Sequence, residues 1–283
     1  MTRKITFKGS PLTLVGRILK EGALAPGFRV TSQDLKDVTS SDFKGKIKVI
    51  ASFPSLDTPV CDLQVKEFNQ HAAQVSSEVV ILGISKDLPF AQQRFCSLNE
   101  IKNEVVLSDY KFSSFGINYG LLIKELNLLA RAVLIIDKND SLRYIQIAGE
   151  LTSSLDYEKA LRNLDEVIKS PVLALNDKVL SFKCAPCAGK VFLLPKERIK
   201  VLISELSSWE LVEGKKLVKE LKFTDFVEAK YFLDILAIVS EEQGHHPIIT
   251  LAYDKLKITL TTHVAGGLTE NDFILAKIID ELG

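Results

Sequence analysis

The sequence predicts two domains of different class. Residues 1–169 read as an α/β domain with a mixed sheet and helices on both faces, and residues 172–283 as an α+β domain with an antiparallel four-stranded sheet and helices on one face. Three observations predict this. Apolar β-branched runs alternate with helix-period segments as βαβα and then ββα through the first part, the order of strands joined by crossover helices. The second part reads αββαββα, which pairs neighbouring strands antiparallel and gathers their helices on one side. Around Lys169-Ser170-Pro171 the character of the chain changes, and a length of 283 residues favours two domains. No internal repeat relates the halves.

Residues 3–15 alternate around a Lys8-Gly9-Ser10-Pro11 turn and predict a hairpin. Leu24 to Phe28, with Pro26 and Gly27, is a loop, and Val38 to Phe43 a short strand and turn. Lys48-Val49-Ile50-Ala51-Ser52-Phe53 is apolar enough for a buried strand, and Val65, Phe68, Ala72 and Val75 then recur at helical spacing. Val79 to Ser85 is a second buried strand, Pro89 opens a helix running to about Leu98, and Val105-Val106-Leu107 is a third strand. After a looser stretch, Ala132 to Ile136 and Leu142 to Ile147 flank Lys138-Asn139-Asp140 as a hairpin, and Tyr157 to Ile168 is a closing helix. In the second part Pro195 begins a helix over 195–206, and a hairpin over 209–223 turns at Glu213-Gly214. A long helix over 225–243 turns Phe226, Ala229, Leu233, Leu236 and Ser240 inward and stops at Gly244. A hairpin over 248–262 and a helix over 269–282, capped at Thr269-Glu270-Asn271-Asp272, complete the chain.

Composition excludes several classes. The chain is 46% hydrophobic and 25% charged, ordinary for a globular protein. Lys plus Arg equals Asp plus Glu at 36 each, so there is no electrostatic footprint for nucleic acid. No apolar run reaches the ~18 residues of a membrane span. The opening MTRKITFKGS lacks the apolar segment of a secretory signal, so the expected compartment is the cytoplasm. Four cysteines are too few for a disulfide scaffold at this length, which points to redox or metal roles.

The most informative stretch is SFPSLDTPVCDL, residues 52–63. Cys61 sits where a predicted strand hands over to a predicted helix. In a first helical turn, unpaired N–H groups and the positive end of the macrodipole favour a negative charge, and so a thiolate. An unperturbed thiol, pKa about 8.5, is only a few per cent ionised at neutral pH. Thr58 adds a hydroxyl three residues earlier, and Pro54 and Pro59 stiffen the approach. Burial as a small hydrophobe is the commoner fate of a free cysteine; the proline- and threonine-flanked turn favours a reactive one.

Pro54, Thr58 and Cys61 in PSLDTPVC resemble the PxxxTxxC signature of peroxiredoxins, and the surrounding SFPSLDTPVCDLQVKEFN resembles their thiol peroxidase subfamily; the resemblance spans roughly 1–168. It implies a thioredoxin-like fold and attack of Cys61 on a hydroperoxide to give a sulfenic acid. Cys96, in AQQRFCSLNEIKN, would on its own be a helix-core thiol; the resemblance implies the resolving cysteine, with thioredoxin as reductant. Both cysteines fall on predicted helices, and a disulfide needs α-carbons within about 7 Å, so a helix end is expected to unwind. Arg131, in the apolar run LLARAVLII, should be paired if buried; the resemblance implies that it stabilises the thiolate and the peroxide oxygens. His71 is expected at the surface.

The chemistry of the second part gathers around Glu241, His245, His246 and His263. Three of the chain's four histidines fall within 19 residues. Glu241 lies one helical turn before the pair, and His263 is expected to close the strand from Lys255 to Thr262, on the face of Lys257, Thr259 and Thr261. Adjacent side chains on extended backbone point to opposite faces, so His245 and His246 suit one metal ion poorly. General acid–base work needs only proximity to a ligand and a pKa near neutrality, which histidine has unaided; no metal and no cofactor are expected. Glu241-x-x-x-His245-His246-Pro247, followed by Tyr253, His263 and Asp272, resembles the signature of pterin-4a-carbinolamine dehydratases over roughly 172–282, as do Trp209, FTDFVEAKYF and GGLTENDFILA. The resemblance implies loss of water from a 4a-hydroxytetrahydropterin at His245, His246 and His263. Val264 departs from it, standing where an acidic residue is frequent. Trp209 taken alone is a packing residue of its hairpin.

Cys184 and Cys187 form a CAPC pair that reads as a redox dithiol or half a zinc knuckle, and the lack of a second pair disfavours the knuckle. The dehydratase resemblance includes such a pair near the domain start and favours a structural or incidental role. For the whole chain the expectation is a bifunctional enzyme acting on hydroperoxide and pterin substrates and forming a homo-oligomer, a dimer or larger. The alternative is a peroxidase whose second half is a dimerisation or protein-binding module.

Overall fold

The computed structural model describes residues 3–58, 78–169, 184–185 and 192–282. Cys61 with the helix expected around it, Pro59, His71, the Ser170-Pro171 junction and Cys187 lie outside the described residues. The chain divides into two compact units, Met1–Asn176 and Asp177–Gly283.

The first unit contains β1 (Arg3–Phe7), β2 (Ser10–Val15), β3 (Arg29–Thr31), β4 (Asp37–Thr39), β5 (Ile47–Ser52), β6 (Val79–Ser85), α1 (Pro89–Leu98), β7 (Val105–Ser108), α2 (Ser114–Asn118), β8 (Leu122–Ile123), β9 (Leu128–Leu129), β10 (Ala132–Ile136), β11 (Leu142–Ile147) and α3 (Tyr157–Lys169). Seven strands form one mixed sheet in the order β11-β10-β5-β6-β7-β3-β4. β5, β6 and β7 run parallel, and β10 closes on β5 antiparallel. Period-two alternation divides the strands between two cores. Ile50, Leu82, Ile84, Leu107 and Leu134 pack on one side with Phe115 and Tyr119. Val49, Ala51, Ile81, Val133 and Ile135 pack on the other with Ala160, Leu164 and Val167 of α3. A strand apolar on both faces is what a sheet covered on both sides requires, and every residue of β5 is buried. Lys48 is buried too, its ammonium 2.6 Å from the Asp140 carboxylate at the rim of the β10–β11 turn.

The looser stretch after β7 carries structure. α2 there is five residues long, and β8 and β9, two residues each, join β1 and β2 in a second sheet ordered β1-β2-β8-β9. Asp109 holds this corner by accepting from the amides of Phe115 and Gly116 at 3.1 and 2.9 Å.

The second unit contains α4 (Lys196–Ile203), β12 (Glu210–Val212), β13 (Lys216–Lys222), α5 (Phe226–Gln243), β14 (Ile248–Ala252), β15 (Lys255–Leu260) and α6 (Glu270–Leu282). Its sheet is antiparallel, ordered β12-β13-β15-β14. Leu217, Leu256, Ile258 and Leu260 form its buried face, and α5 and α6 bury Leu236, Val239, Leu275 and Ile278. Asp225 caps α5 by accepting from the Glu228 amide, and Gly244 ends it at φ 60, the left-handed conformation that glycine adopts without a Cβ penalty. Of the expected inward stripe of α5, Ala229, Leu236 and Ser240 are buried, whereas Phe226 is 46% exposed; Phe232, Ile235 and Val239 are buried as well, so the buried arc is wider than one i, i+3/i+4 row. The Trp209 indole donates to Asp280 on α6 at 2.8 Å, and Lys219 reaches the same carboxylate at 2.6 Å.

Candidate functional sites

In the first unit, the C-terminal ends of β5, β6 and β7 point the same way, the usual place for chemistry in such sheets. Pro54 and Thr58 lie in the loop that leaves β5. The Thr58 hydroxyl donates to the Ser55 carbonyl at 3.2 Å, tightening the loop into a turn. Arg131 immediately precedes β10, whose Ala132 pairs with Ser52, so the antiparallel register brings Arg131 to the end of β5 where the loop starts. Its guanidinium is 2% exposed, and Nη2 donates to the Leu151 carbonyl at 3.4 Å. Arg131 is thus buried, and it is paired as a buried guanidinium should be.

Cys96 lies in the last turn of α1. It packs with Phe53, Leu56, Ile101 and Val106, and Phe53 and Leu56 belong to the segment that leads toward Cys61. Cys96 thus shares one buried cluster with the segment that leads, in sequence, toward Cys61. Burial pushes its thiol pKa up, while the Gln33 side-chain amide, donating to Sγ at 3.3 Å, acts the other way.

Asp87 was not foreseen. Its Oδ1 accepts from the Ser55 hydroxyl at 2.7 Å, and its Oδ2 from the Leu56 amide and the Ser85 hydroxyl at 2.8 Å each. One carboxylate thus fastens the loop after β5 to the start of α1. Gln92 extends this by donating to Ser85 Oγ at 3.1 Å and to the Leu107 carbonyl at 2.8 Å. An acidic residue two places before Pro89 was the available signal, and it reads as an ordinary helix-start preference.

In the second unit the register pairs Ile248 with Thr259. Extending both strands brings His245-His246-Pro247 and Thr261-Thr262-His263 to one end of the β14–β15 hairpin. β15 stops at Leu260, and Thr262 makes an isolated bridge to Gly267. His263 opens a 3₁₀ turn over His263–Ala265, so it leaves the strand instead of closing it on the polar face. The Thr262–Gly267 bridge folds the chain back and ends the ladder there.

Asp272 organises this end. It is fully buried, and Oδ1 lies 2.8 Å from His245 Nε2. Oδ2 accepts from the Thr262 hydroxyl at 2.8 Å, the Thr269 amide at 2.8 Å and the Thr269 hydroxyl at 3.1 Å. The carboxylate thus joins His245 to the residue before His263. His246 is exposed instead, with Nε2 3.0 Å from Glu241 Oε1. The neighbouring histidines address different carboxylates, one buried and one at the surface, which suits separate roles better than a shared ion. Among the described residues no three His, Cys, Asp or Glu side chains gather as a metal site. Cys184 is buried, its amide donating to Gln243 Oε1 at 2.9 Å, and Asn271 clasps Ala185 through both backbone groups.

The Redoxin family model matches residues 20–162, and the model for pterin 4 alpha carbinolamine dehydratase matches residues 193–282. The chain belongs to the Redoxin family and, within it, to the thiol peroxidases, with a pterin-4a-carbinolamine dehydratase domain following. It is 48% identical to the thiol peroxidase of Halalkalibacterium halodurans over 157 residues, which are 56% of this chain and 94% of that protein. The thiol peroxidase of Bacillus subtilis is 43% identical over 166 residues, 59% of this chain and 99% of that one. Among solved structures, a peroxiredoxin-like protein from Aquifex aeolicus superposes with a TM-score of 0.55 at 39% identity, covering 58% of this chain and 97% of that one. The first unit therefore has the thioredoxin-like peroxiredoxin fold. Among the described residues no helix is long and apolar enough to cross a membrane.

Proposed function

We propose that one chain carries both activities, thioredoxin-dependent reduction of hydroperoxides in residues 1–169 and dehydration of 4a-hydroxytetrahydropterins in residues 172–283. In the peroxidase reaction the Cys61 thiolate attacks the terminal peroxide oxygen. The S–O bond forms as O–O breaks, and the alkoxide or hydroxide leaves with a proton. Pro54, Thr58 and Arg131 line the site, with the cationic guanidinium favouring both thiolate and peroxide oxygens. Cys96 then attacks the sulfenic acid, releasing water and leaving a disulfide that thioredoxin reduces. The observation that carries this reading is the packing of Cys96 against Phe53 and Leu56.

In the dehydratase, a protonated group assists departure of the 4a-hydroxyl while a base takes the N5 proton. The support is the hydrogen-bonded path from His245 through Asp272 to Thr262. His245 Nε2 is committed to Asp272, so Nδ1 is the ring atom left to address a ligand. His246, held by Glu241, and His263 are exposed at the same end of the hairpin and would exchange protons with it. A cytoplasmic homo-oligomer is the proposed setting.

Two substitutions test the division. Cys61→Ser should abolish peroxide reduction and leave dehydration intact, because serine supplies no comparable anion at neutral pH. His246→Ala should do the reverse. Loss of both activities from either substitution, in a chain still folded by circular dichroism, would refute independent sites.

A further inference from the structure

Glu104 is a buried acid that the reactions above do not use. It stands just before β7, is 6% exposed, and neither carboxyl oxygen has a hydrogen-bond partner among the described residues. Strand alternation puts it on the face of Val106, which packs with Phe53, Leu56, Cys96 and Ile101. Gly83 on β6 makes room for it: a Cβ there would collide with Glu104 Oε1, and Phe53 borders the same spot at 3.5 Å. From β6 the carboxyl is faced by Gly83, from the loop after β5 by Phe53, and from α1 by the one titratable neighbour among the described residues, the Cys96 thiol. No charged group on these elements compensates it. Burial pushes its pKa well above the ordinary carboxylate range, so an apolar pocket holds it as the neutral acid.

We propose that Glu104 is a positioning residue for the resolving step, a latch that holds the Cys96 segment closed as the neutral acid and favours its opening as the carboxylate. The inference rests on the reading that Cys96 resolves Cys61. Cys96 is only 8% exposed, so its thiol must emerge to form a disulfide. The short link from α1 to β7 carries Glu104, and loosening it wets the carboxyl. Once in water the acid has its ordinary pKa, so opening releases a proton at any pH between the ordinary value and the closed one. The closed form binds the extra proton and therefore loses stability as pH rises through that window, by a factor of about ten per pH unit in the equilibrium. Glu104 takes no part in the bond changes. As S–S forms, S–O breaks, and the thiol proton leaves with hydroxide as water.

The test uses the full-length Cys61→Ser chain, in which Cys96 has lost its partner. The rate of Cys96 modification by 4,4′-dithiodipyridine is followed by peptide mass spectrometry, with and without Glu104→Gln. The ratio of the two rates cancels reagent chemistry; a charged Glu104 also raises the Cys96 thiol pKa, which would lower the ratio as pH rises, so a rise reports opening. The ratio should rise with pH above the ordinary carboxylate value, approaching tenfold per pH unit inside the window; a flat ratio overturns the latch. If glutamine leaves the chain unfolded by circular dichroism, the Glu104→Val ratio decides in the same way. Peptide mapping of the parent chain after one equivalent of hydrogen peroxide separates the two ideas. A Cys61–Cys96 disulfide with a flat ratio refutes the latch alone. A rising ratio without that disulfide refutes the resolving assignment and, with it, the role proposed for Glu104.

Discussion

Replacing Asp272 with asparagine tests the second site at its most constrained atom. The carboxylate accepts four hydrogen bonds, one at Oδ1 from His245 and three at Oδ2 from Thr262 and Thr269. Asparagine keeps the shape and one carbonyl oxygen. That oxygen would stay with the three donors at the Oδ2 position, since an NH2 there would face the Thr269 amide. The NH2 group then faces His245 Nε2, which must become an acceptor, moving the ring proton to Nδ1. Exchanging charge-assisted bonds for neutral ones costs about 1–2 kcal/mol. At about 5 °C per kcal/mol for a domain of this size, the second unit should melt roughly 5–10 °C lower. Near-ultraviolet circular dichroism of Trp209, the chain's one tryptophan, reads that transition. The catalytic effect should exceed the stability effect, because the ring atom presented to the pterin changes from acceptor to donor. Dehydratase kcat should fall at least tenfold below the melting range, with KM changing less. Wild-type kcat in Asp272→Asn, alongside an inactive His245→Ala, would refute the orienting role and leave Asp272 a packing residue.

Gln33→Leu removes the donor to Cys96 Sγ, so the pH profile of Cys96 alkylation in a Cys61→Ser background should move to higher pH; an unchanged or lower midpoint would show that the amide does not favour the thiolate. Glu150 accepts from the Thr6 hydroxyl and the Lys8 amide, and these bonds lower its carboxyl pKa to about 2. Its contribution should be complete above the ordinary carboxylate value and lost as pH falls from about 4.5 toward about 2. The melting difference between the parent and Glu150→Gln should accordingly close over that interval, and a difference constant down to pH 2 would contradict the assignment.

The strands and long helices were legible because each has a period that matches its burial. Val49 and Ile50 face opposite cores, and the run they belong to is apolar throughout. α3 buries Ala160, Leu164 and Val167, and this amphipathic spacing is visible in the letters. β8 and β9 were not legible. A strand of two residues contains no full alternation, and what makes Leu122 and Leu129 a pair is contact with β2, a segment more than a hundred residues away. The ending of β15 departs from the sequence pattern for a related reason: Thr261 and Thr262 continue the alternation, but the Thr262–Gly267 bridge turns the chain before His263.

The two sites differ in how far their letters reached, and the difference follows from where the polar partners come from. His245, His246 and Glu241 are close in sequence, so their grouping was visible before any fold. Asp272 stood in the same motif without a role, because its function depends on α6 being folded back against the hairpin end, and only then do Thr262, Thr269 and His245 converge on one carboxylate. In the first unit Asp87 and Glu104 carry no local pattern at all. Asp87 acts because two loops meet at the end of the parallel strands β5 and β6. Glu104 is conspicuous because a glycine on the neighbouring strand leaves a carboxyl-sized space, with nothing among the described residues to pair with it. A sequence shows that an acid is present; whether it is an acceptor for four donors, a clasp between loops or a stranded proton is decided by the elements that surround it.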